Sequence, residues 1–381
     1  MIVCGRLVRG GQSSPGWLRL EDGRITDAGE GAPAESGDVI FDFGDHFVSR
    51  GLVDVQVNGG AGFQITDGPD AVLGISDALL AHGVTDFLGT VITTSDAVAD
   101  AAVRSMEELI DWPECALAGV HLEGPFLSPE YRGVHRAEYL SVPDSGIPAY
   151  YESDAIRLVT LAPELPGALA LIHALRDRSV AVSLGHSGAT WEEAEAAADH
   201  GASLITHLFN GMAPFHHRVP GLSAWGLWSP RIVCGLISDG FHVDPRVLGL
   251  VNRLAGDRVA LTSDASTAAC AAPGRYLQAG VEIELDAQGE VHAVGGGLAG
   301  GGVFLDQIVR TWMASCGLTA EQALEAATTV PATAIGLHTA LQVGGPADLA
   351  VFDEALNVHA VMKAGRWCTS AGDPARAAER G

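Results

Sequence analysis

VAVSLGHSGATWEEAEAAADHGASLITHLFNGM, residues 180–212, spells one complete structural unit. Its ends, VAVSLG (180–185) and SLITHL (203–208), are short, nearly continuous apolar runs, the pattern of strands buried on both faces. Between them TWEEAEAAADHGA is Ala-rich and amphipathic, which predicts a helix. The same kind of run recurs on both sides: LVDVQV (52–57), VTDFLGT (84–90), ALAGVHL (116–122), IRLVTLA (156–162), RIVCGLI (231–237) and RVALTS (258–263). Eight such runs alternating with helical stretches predict an α/β fold, a (β/α)8 TIM-type barrel. On pattern alone a doubly wound sheet is the alternative.

Outward from this region, residues 1–49 read as short strands separated by polar turns such as EDGR, and ADLAVFD and NVHAVMKAG near the other terminus resemble them. The two ends are expected to pair into one small β-sandwich domain, 1–49 with 341–381, beside a barrel domain over 50–340. The closing TSAGDPARAAERG is polar and expected to fray. A chain of 381 residues, 47% hydrophobic and 18% charged, can bury a core of this size. Its 48 Gly and 18 Pro predict many tight loops.

Charge and composition exclude several functions. A formal charge of −25 repels phosphate backbones and anionic lipid, so neither nucleic acid nor a membrane is expected as a partner. No apolar run reaches the ~18 residues of a spanning helix, and no signal peptide is evident in MIVCGRLVRGG. Six scattered Cys without a CxxC read as reduced thiols of a cytoplasmic protein. The only lysine is Lys363, close to the C-terminus. Schiff-base catalysis, pyridoxal phosphate chemistry and a Walker A loop each lack their key residue, and a metal pair bridged by a modified strand lysine is equally unsupported.

Barrel enzymes place their chemistry at the C-terminal ends of the strands. Those positions here carry Gln56 and Asn58, His121 and Glu123, His186, His207 and Asn210, Ser238 to His242, and Asp264. Two neutral imidazoles and a carboxylate form a good Zn2+ set with a fourth position left for water, whose pKa the ion lowers to about 7. Glu123, His186 and His207 are read as the ligands and Asp264 as the base. His121 shares the strand face of Glu123 and is the alternative ligand, read here as supporting the ligands from behind. Two further patterns are decoys. Gly295–Gly300 matches GxGxxG but no βαβ unit follows, so it reads as a loop that approaches a ligand closely. Gly185–Gly188 misses the G-x-S-x-G nucleophile register.

The strings VDVQVNG, HLEGPF, LAPE, LGHSGAT, THLFNGM and SDA, in this order, resemble the N-acetylglucosamine-6-phosphate deacetylases of the amidohydrolase superfamily. The resemblance implies removal of acetyl from N-acetylglucosamine-6-phosphate, a barrel flanked by paired terminal β-segments, and a homodimer. It implies one divalent metal ion per subunit, Zn2+ by default with Fe2+, Mn2+ or Co2+ also suited to N/O ligands. By motif it supports Glu123, His186 and His207 as ligands and Asp264 as acid/base, and it adds His135 against the acetyl carbonyl. It implies substrate contacts at Val134, Asn210, Gly211, Arg218, His242, Leu298, Ala299 and Gly300, with Arg218 and His242 on the phosphate. Gln56-Val57-Asn58 stands where other amidohydrolases carry His-x-His, which implies one tight metal and not two. The stretch after Asp264, STAACAAPGRYLQAG, departs from the family and leaves contacts at 265–280 open. The rival enzymes are a deacetylase for N-acetylgalactosamine-6-phosphate and an amidohydrolase acting on a ring amide. A retired barrel that only binds sugar phosphate is the non-enzymatic rival.

Overall fold

A computed structural model describes residues 1–33, 37–338 and 341–368. The tail 369–381, expected to fray, lies outside the described residues. β1 (Ile2–Arg9), β2 (Gln12–Glu21), β3 (Arg24–Glu30) and β4 (Ile40–Arg50) precede the first barrel strand, β5 (Leu52–Val57). A two-rung hairpin, β6 (Gly59–Gly60) and β7 (Phe63–Gln64), leads into α1 (Pro69–Ala81). Next come β8 (Val84–Ile92), α2 (Asp96–Glu107), β9 (Leu117–Glu123), β10 (Ile156–Leu161), α3 (Ala168–Asp177), β11 (Ala181–Leu184) and α4 (Trp191–His200). β12 (Leu204–Ile205), α5 (Gly221–Trp228), β13 (Val233–Leu236), α6 (Pro245–Ala255) and β14 (Val259–Leu261) complete the eight staves.

All eight apolar runs are strands, and they lie side by side in chain order as one parallel sheet, β5-β8-β9-β10-β11-β12-β13-β14. Every residue of β5 and β8 is buried, which is why they read as nearly continuous apolar stretches. The last and first staves share no ladder. Their seam is bridged low in the barrel by Ala326 and Ala327, whose carbonyls accept the Leu261 and Val53 N–H groups at 2.7 and 2.8 Å. At the top, Asn58 and Gly59 N–H both reach the Ala265 carbonyl. The Asp54 carboxylate crosses the same seam, accepting the Thr262 hydroxyl at 2.7 Å and the Ser263 N–H at 3.2 Å.

Two units depart from the expected strand–helix repeat. Residues 124–155 form a long loop with three 3-10 turns and no α-helix. Pro125, Pro129, Pro143 and Pro148 fall in it, each removing a helical N–H. After β14 the chain adds a three-stranded antiparallel sheet, β15 (Gly274–Gln278), β16 (Val281–Leu285) and β17 (Val291–Ala293), before α7 (Leu305–Cys316), α8 (Ala320–Glu325) and α9 (Thr329–Ala334).

The chain ends pair as expected. β18 (Leu349–Phe352), β19 (Val358–Lys363) and β20 (Arg366–Trp367) join the first four strands in one seven-stranded sheet, order β20-β19-β18-β4-β1-β2-β3. The sheet is mixed because β1 and β4 run parallel. It coils far enough for edge strand β3 to meet the approach to β18, with Ile25 N–H donating to Gly345 O. Val3, Leu18, Ile25, Val48, Leu349 and Met362 form its own core.

A buried ionic knot pins this sheet to the barrel. Lys363 Nζ donates to Thr85 O and Asp348 Oδ2 at 2.8 and 2.9 Å, and Arg50 pairs with Asp86 at 2.7 Å. The only lysine of the chain thus has a structural post. Lys363→Met leaves Asp348 and Asp86 short of a buried partner, and breaking such pairs costs roughly 3–5 kcal/mol. The variant is expected to melt well below wild type in a thermal scan; an unchanged melting temperature would contradict the pin.

Candidate active site

Three strand ends deliver the expected ligands to one point. Glu123 ends β9, His186 follows β11, and His207 follows β12. Glu123 Oε1 lies 3.1 Å from His186 Nε2 and 3.2 Å from His207 Nε2, and the two Nε2 atoms stand 3.2 Å apart. His186 Nδ1 faces the Tyr131 carbonyl at 2.8 Å and His207 Nδ1 faces the Asn210 carbonyl at 3.1 Å. A carbonyl only accepts, so each Nδ1 carries the proton and each Nε2 presents a bare lone pair. Two lone pairs and a carboxylate oxygen facing each other repel unless a cation sits among them. Tetrahedral ligands ~2.0–2.1 Å from a shared ion stand about 3.3–3.4 Å apart, close to the spacing found. The group can hold a metal ion.

The electrostatics agree. Burial alone would raise the Glu123 carboxyl; protons on the His186 and His207 Nε2 atoms in place of a cation would hold it well below the usual carboxylate range, so positive charge is what this point lacks. Burial disfavours charge on His207, yet Glu123 pushes its pKa up, so this corner attracts positive charge.

Backbone strain marks the same residues. His186, His207 and Asp264 take positive φ angles of 48°, 29° and 48°. Side chains with a Cβ rarely adopt that region, and such strain concentrates at working sites. The surroundings hold it in place. Glu164, of LAPE, accepts the Ser187 hydroxyl and the Gly188 N–H, both at 2.7 Å, and so clamps the turn after His186. A Cβ on Gly211 (φ 58°) would stand 2.8 Å from His186 Nδ1, so only glycine fits there.

Asp264 and His135 share the cavity with the ligands. Its volume is about 370 Å³, and Asn58, Ile92, Val134, Asn210, Gly211, His242, Ser266, Gln278, Leu298, Ala299 and Gly300 also line it. A larger hollow of about 500 Å³ lies between the terminal sheet and residues 325–329, but none of these groups faces it. Burial, reinforced by the Glu123 charge, raises the Asp264 carboxyl to about 6. The Thr93 backbone N–H points at His135 Nδ1 (3.3 Å), with the Thr93 hydroxyl 2.9 Å away. A backbone N–H only donates, so Nδ1 accepts and Nε2–H is the donor left free. Burial drives the His135 pKa down to about 3, keeping the ring neutral. His242 Nδ1 donates to Asp239 Oδ2 at 2.7 Å. Burial would raise the Asp239 carboxyl, but His242 and two backbone N–H groups hold it below its usual range.

His121 is not part of the ligand group. Its nitrogens meet the Thr90 and Thr160 hydroxyls at 3.1 and 2.8 Å. The glycine stretch carries no dinucleotide fold. It turns the chain between β17 and Leu298–Gly300, with Ala293 N–H bonded to Gly297 O and Gly301 N–H to Asp264 O.

One expected contact stays outside. Arg218 sits on the exposed loop 213–220 with its guanidinium 3.2 Å from His217 Nε2, and it does not line the cavity. No Arg or Lys lines it among the described residues. Thr93, Asp239, Ser266 and Gln278 join the site without a motif to mark them: Thr93 backs His135, Asp239 backs His242, and Ser266 and Gln278 line the cavity. The first strand was also richer than it read. Asp54, Gln56 and Asn58 recur with the period of two that puts side chains on one face. Asp54 ties the seam, Gln56 Nε2 donates to Glu123 Oε1 at 3.0 Å, and Asn58 Nδ2 donates to Asp264 Oδ1 at 2.7 Å.

A barrel with a His–His–carboxylate cluster and an aspartate at the end of its eighth strand defines a class of metal-assisted hydrolases. The amidohydrolase family model matches residues 47–368, and the chain belongs to that family. It is similar to the N-acetylglucosamine-6-phosphate deacetylase of Homo sapiens, 36% identical over 94% of this chain and 93% of that one. The N-acetylgalactosamine-6-phosphate deacetylase of Escherichia coli O157:H7 is 32% identical over 92% of this chain and 95% of its own. Among solved structures, a mutant N-acetyl-D-glucosamine-6-phosphate deacetylase from Mycobacterium smegmatis, in complex with N-acetyl-D-glucosamine-6-phosphate, superposes with a TM-score of 0.90. It is 31% identical and covers 97% of this chain and 99% of that one. Among the described residues no helix is long and apolar enough to cross a membrane.

Proposed function

We propose that this protein hydrolyses the N-acetyl group of N-acetylglucosamine-6-phosphate, giving acetate and glucosamine-6-phosphate. The observation that carries the reading is the meeting of Glu123, His186 and His207 at one point, with Asp264 and His135 on the same cavity. A divalent ion held there, Zn2+ by the default of two imidazoles and a carboxylate, supplies charge that polarises the carbonyl and acidifies water. His135 donates its Nε2–H to the acetyl oxygen as negative charge gathers on it. Asp264 takes a proton from the attacking water, then delivers it to the amide nitrogen as the C–N bond breaks. The amine therefore leaves neutral, and the acetyl carbon keeps the water oxygen.

The phosphate carries about −1.5 to −2 charges near pH 7, against a chain at −25. His242, with Asp239 behind it, is the cavity's donor for that group; the family resemblance assigns Arg218 to it as well, although its side chain lies outside the cavity of this chain. The homodimer is part of the same reading, supported by Phe215 and Val219, exposed beside Arg218 in the same loop, and by exposed Trp228 at the end of α5. A cytoplasmic location is supported by six free thiols.

Acetate release by metal-loaded protein tests the reading. We expect kcat/KM to fall roughly tenfold or more when the 6-phosphate is absent, the value of one or two charge-assisted hydrogen bonds. Equal rates with and without phosphate would remove His242 and Arg218 from their roles. Faster turnover of the galacto-epimer, the substrate named by the 32% identical relative, would move the assignment to that sugar. Binding of sugar phosphate without acetate release would leave the retired-barrel reading.

A further inference from the structure

Gln278 closes β15 and brings a spare hydrogen-bond donor to the reactive cavity, which it lines. Along β15 the side chains alternate: Arg275 and Leu277 are exposed, while Tyr276 and Gln278 share the inner face. Tyr276 packs there on the same small core as Val134, another cavity residue. Gln278 is 7% exposed. Its Oε1 accepts the Thr267 N–H at 2.8 Å and lies 2.7 Å from the Thr267 hydroxyl. A backbone N–H only donates, so the amide orientation is set and Nε2 is its free end. Among the described residues nothing accepts a hydrogen from Nε2, and the atom is not sealed among the buried, unmatched ones. On the inner face of β15, the space it opens on is the cavity.

Three parts of the proposed substrate already have a partner: His135 for the acetyl oxygen, Asp264 for the nitrogen and His242 for the phosphate. The ring hydroxyls have none. The order of the staves decides which of them Gln278 meets. His242 follows β13, on one side of β14 and Asp264. Gln278 is on the other side, toward β5. Its partner Thr267 lies so close to Gly59, just after β5, that a Cβ there would stand 2.9 Å from the Thr267 backbone. We infer that Gln278 Nε2 donates to a sugar hydroxyl beside the acetamido carbon, on carbon 3 or carbon 1. This rests on the deacetylase reading and adds a specificity residue to it. A sugar with its carbon-2 nitrogen at Asp264 and its phosphate toward His242 presents one of the hydroxyls flanking carbon 2 to the β5 side. The 4-hydroxyl, next to the carbon that carries the phosphate arm, falls on the His242 side. The contact is the same before and during bond breaking, so it lowers KM and leaves kcat unchanged.

The test measures acetate release by wild type and by Gln278→Met, which keeps the length without the amide. The substrates are N-acetylglucosamine-6-phosphate and its 3-deoxy and 1-deoxy analogues. Any disturbance of Thr267 by the substitution weighs on all three. We expect Gln278→Met to lower kcat/KM on the full sugar about fivefold, the value of one hydrogen bond, mostly through KM. On one of the two deoxy analogues that extra fall should be absent, which names the hydroxyl. An equal fall on all three substrates overturns the inference while the deacetylase reading stands. So does a fall that disappears only when the 6-phosphate is removed, because the amide then serves the phosphate. Wild type that releases no acetate from the full sugar overturns both. Where neither Gln278→Met nor Gln278→Leu folds, wild type alone decides: about fivefold lower kcat/KM on one deoxy analogue is expected, and equal values on all three overturn the inference.

Discussion

Asp264→Asn is expected to lower kcat/KM for acetate release by roughly 10²–10⁴-fold, the usual contribution of a positioned general base, while metal per chain stays at the wild-type value. The two side chains have the same shape. An asparagine here can still accept the Asn58 N–H at the position Asp264 Oδ1 occupies, so the local framework survives. What is lost is a site for the water's proton and its later delivery to nitrogen. Asp264 is outside the Glu123–His186–His207 group, so its loss leaves the ligands intact. Elemental analysis decides between the roles: a metal-depleted Asp264→Asn protein would make Asp264 a ligand. The pH profile adds a second reading. Burial and the Glu123 charge raise the Asp264 carboxyl to about 6, and a bound cation pulls it back down. The base works ionised, so kcat/KM should climb with pH through about 6 or lower and then level off. In Asp264→Asn the acid limb should vanish from whatever activity remains.

His186→Ala and His207→Ala are expected to empty the site and abolish turnover. Each removes one of three converging donors, and the remaining two cannot enclose an ion on the side exposed by the loss. Removing even a supporting partner behind a ligand costs roughly 10–100-fold in metal affinity, and losing the ligand itself costs more. His121→Gln is the matched control. His121 is as buried as the ligands, but both its nitrogens face hydroxyls, so this variant should keep its metal. Metal retained in both alanine variants would contradict the ligand assignment.

The physics of buried strands explains what was legible in the chain. The eight staves announce themselves because strands covered on both faces are mostly apolar, and β5 and β8 are buried at every position, their polar Asp54, Gln56, Asp86 and Thr90 included. Strand ends follow from that, and with them Glu123, His186, His207 and Asp264. The family resemblance carried by HLEGPF, LGHSGAT and THLFNGM is borne out by the amidohydrolase match. Other features leave weaker traces. The β15–β17 sheet is half-exposed, so its runs alternate and do not stand out. The positive φ angles of His186, His207 and Asp264 are imposed by their surroundings, and no residue type at those positions betrays them. In the sequence Gln56 and Asn58 stand out only as replacements for two imidazoles. Their actual partners, Glu123 and Asp264, lie 67 and 206 residues away. The one signal was the period-two D-x-Q-x-N of a strand known to end at the site. Arg218 shows the opposite limit: motif position alone did not bring its side chain to the cavity.

Titrating metal-stripped protein with a divalent ion, while following acetate release from N-acetylglucosamine-6-phosphate, tests the central claim most directly. The account predicts no turnover at the start and a linear rise that saturates at one ion per chain. Full turnover in the stripped protein, or saturation only at two ions per chain, would contradict it.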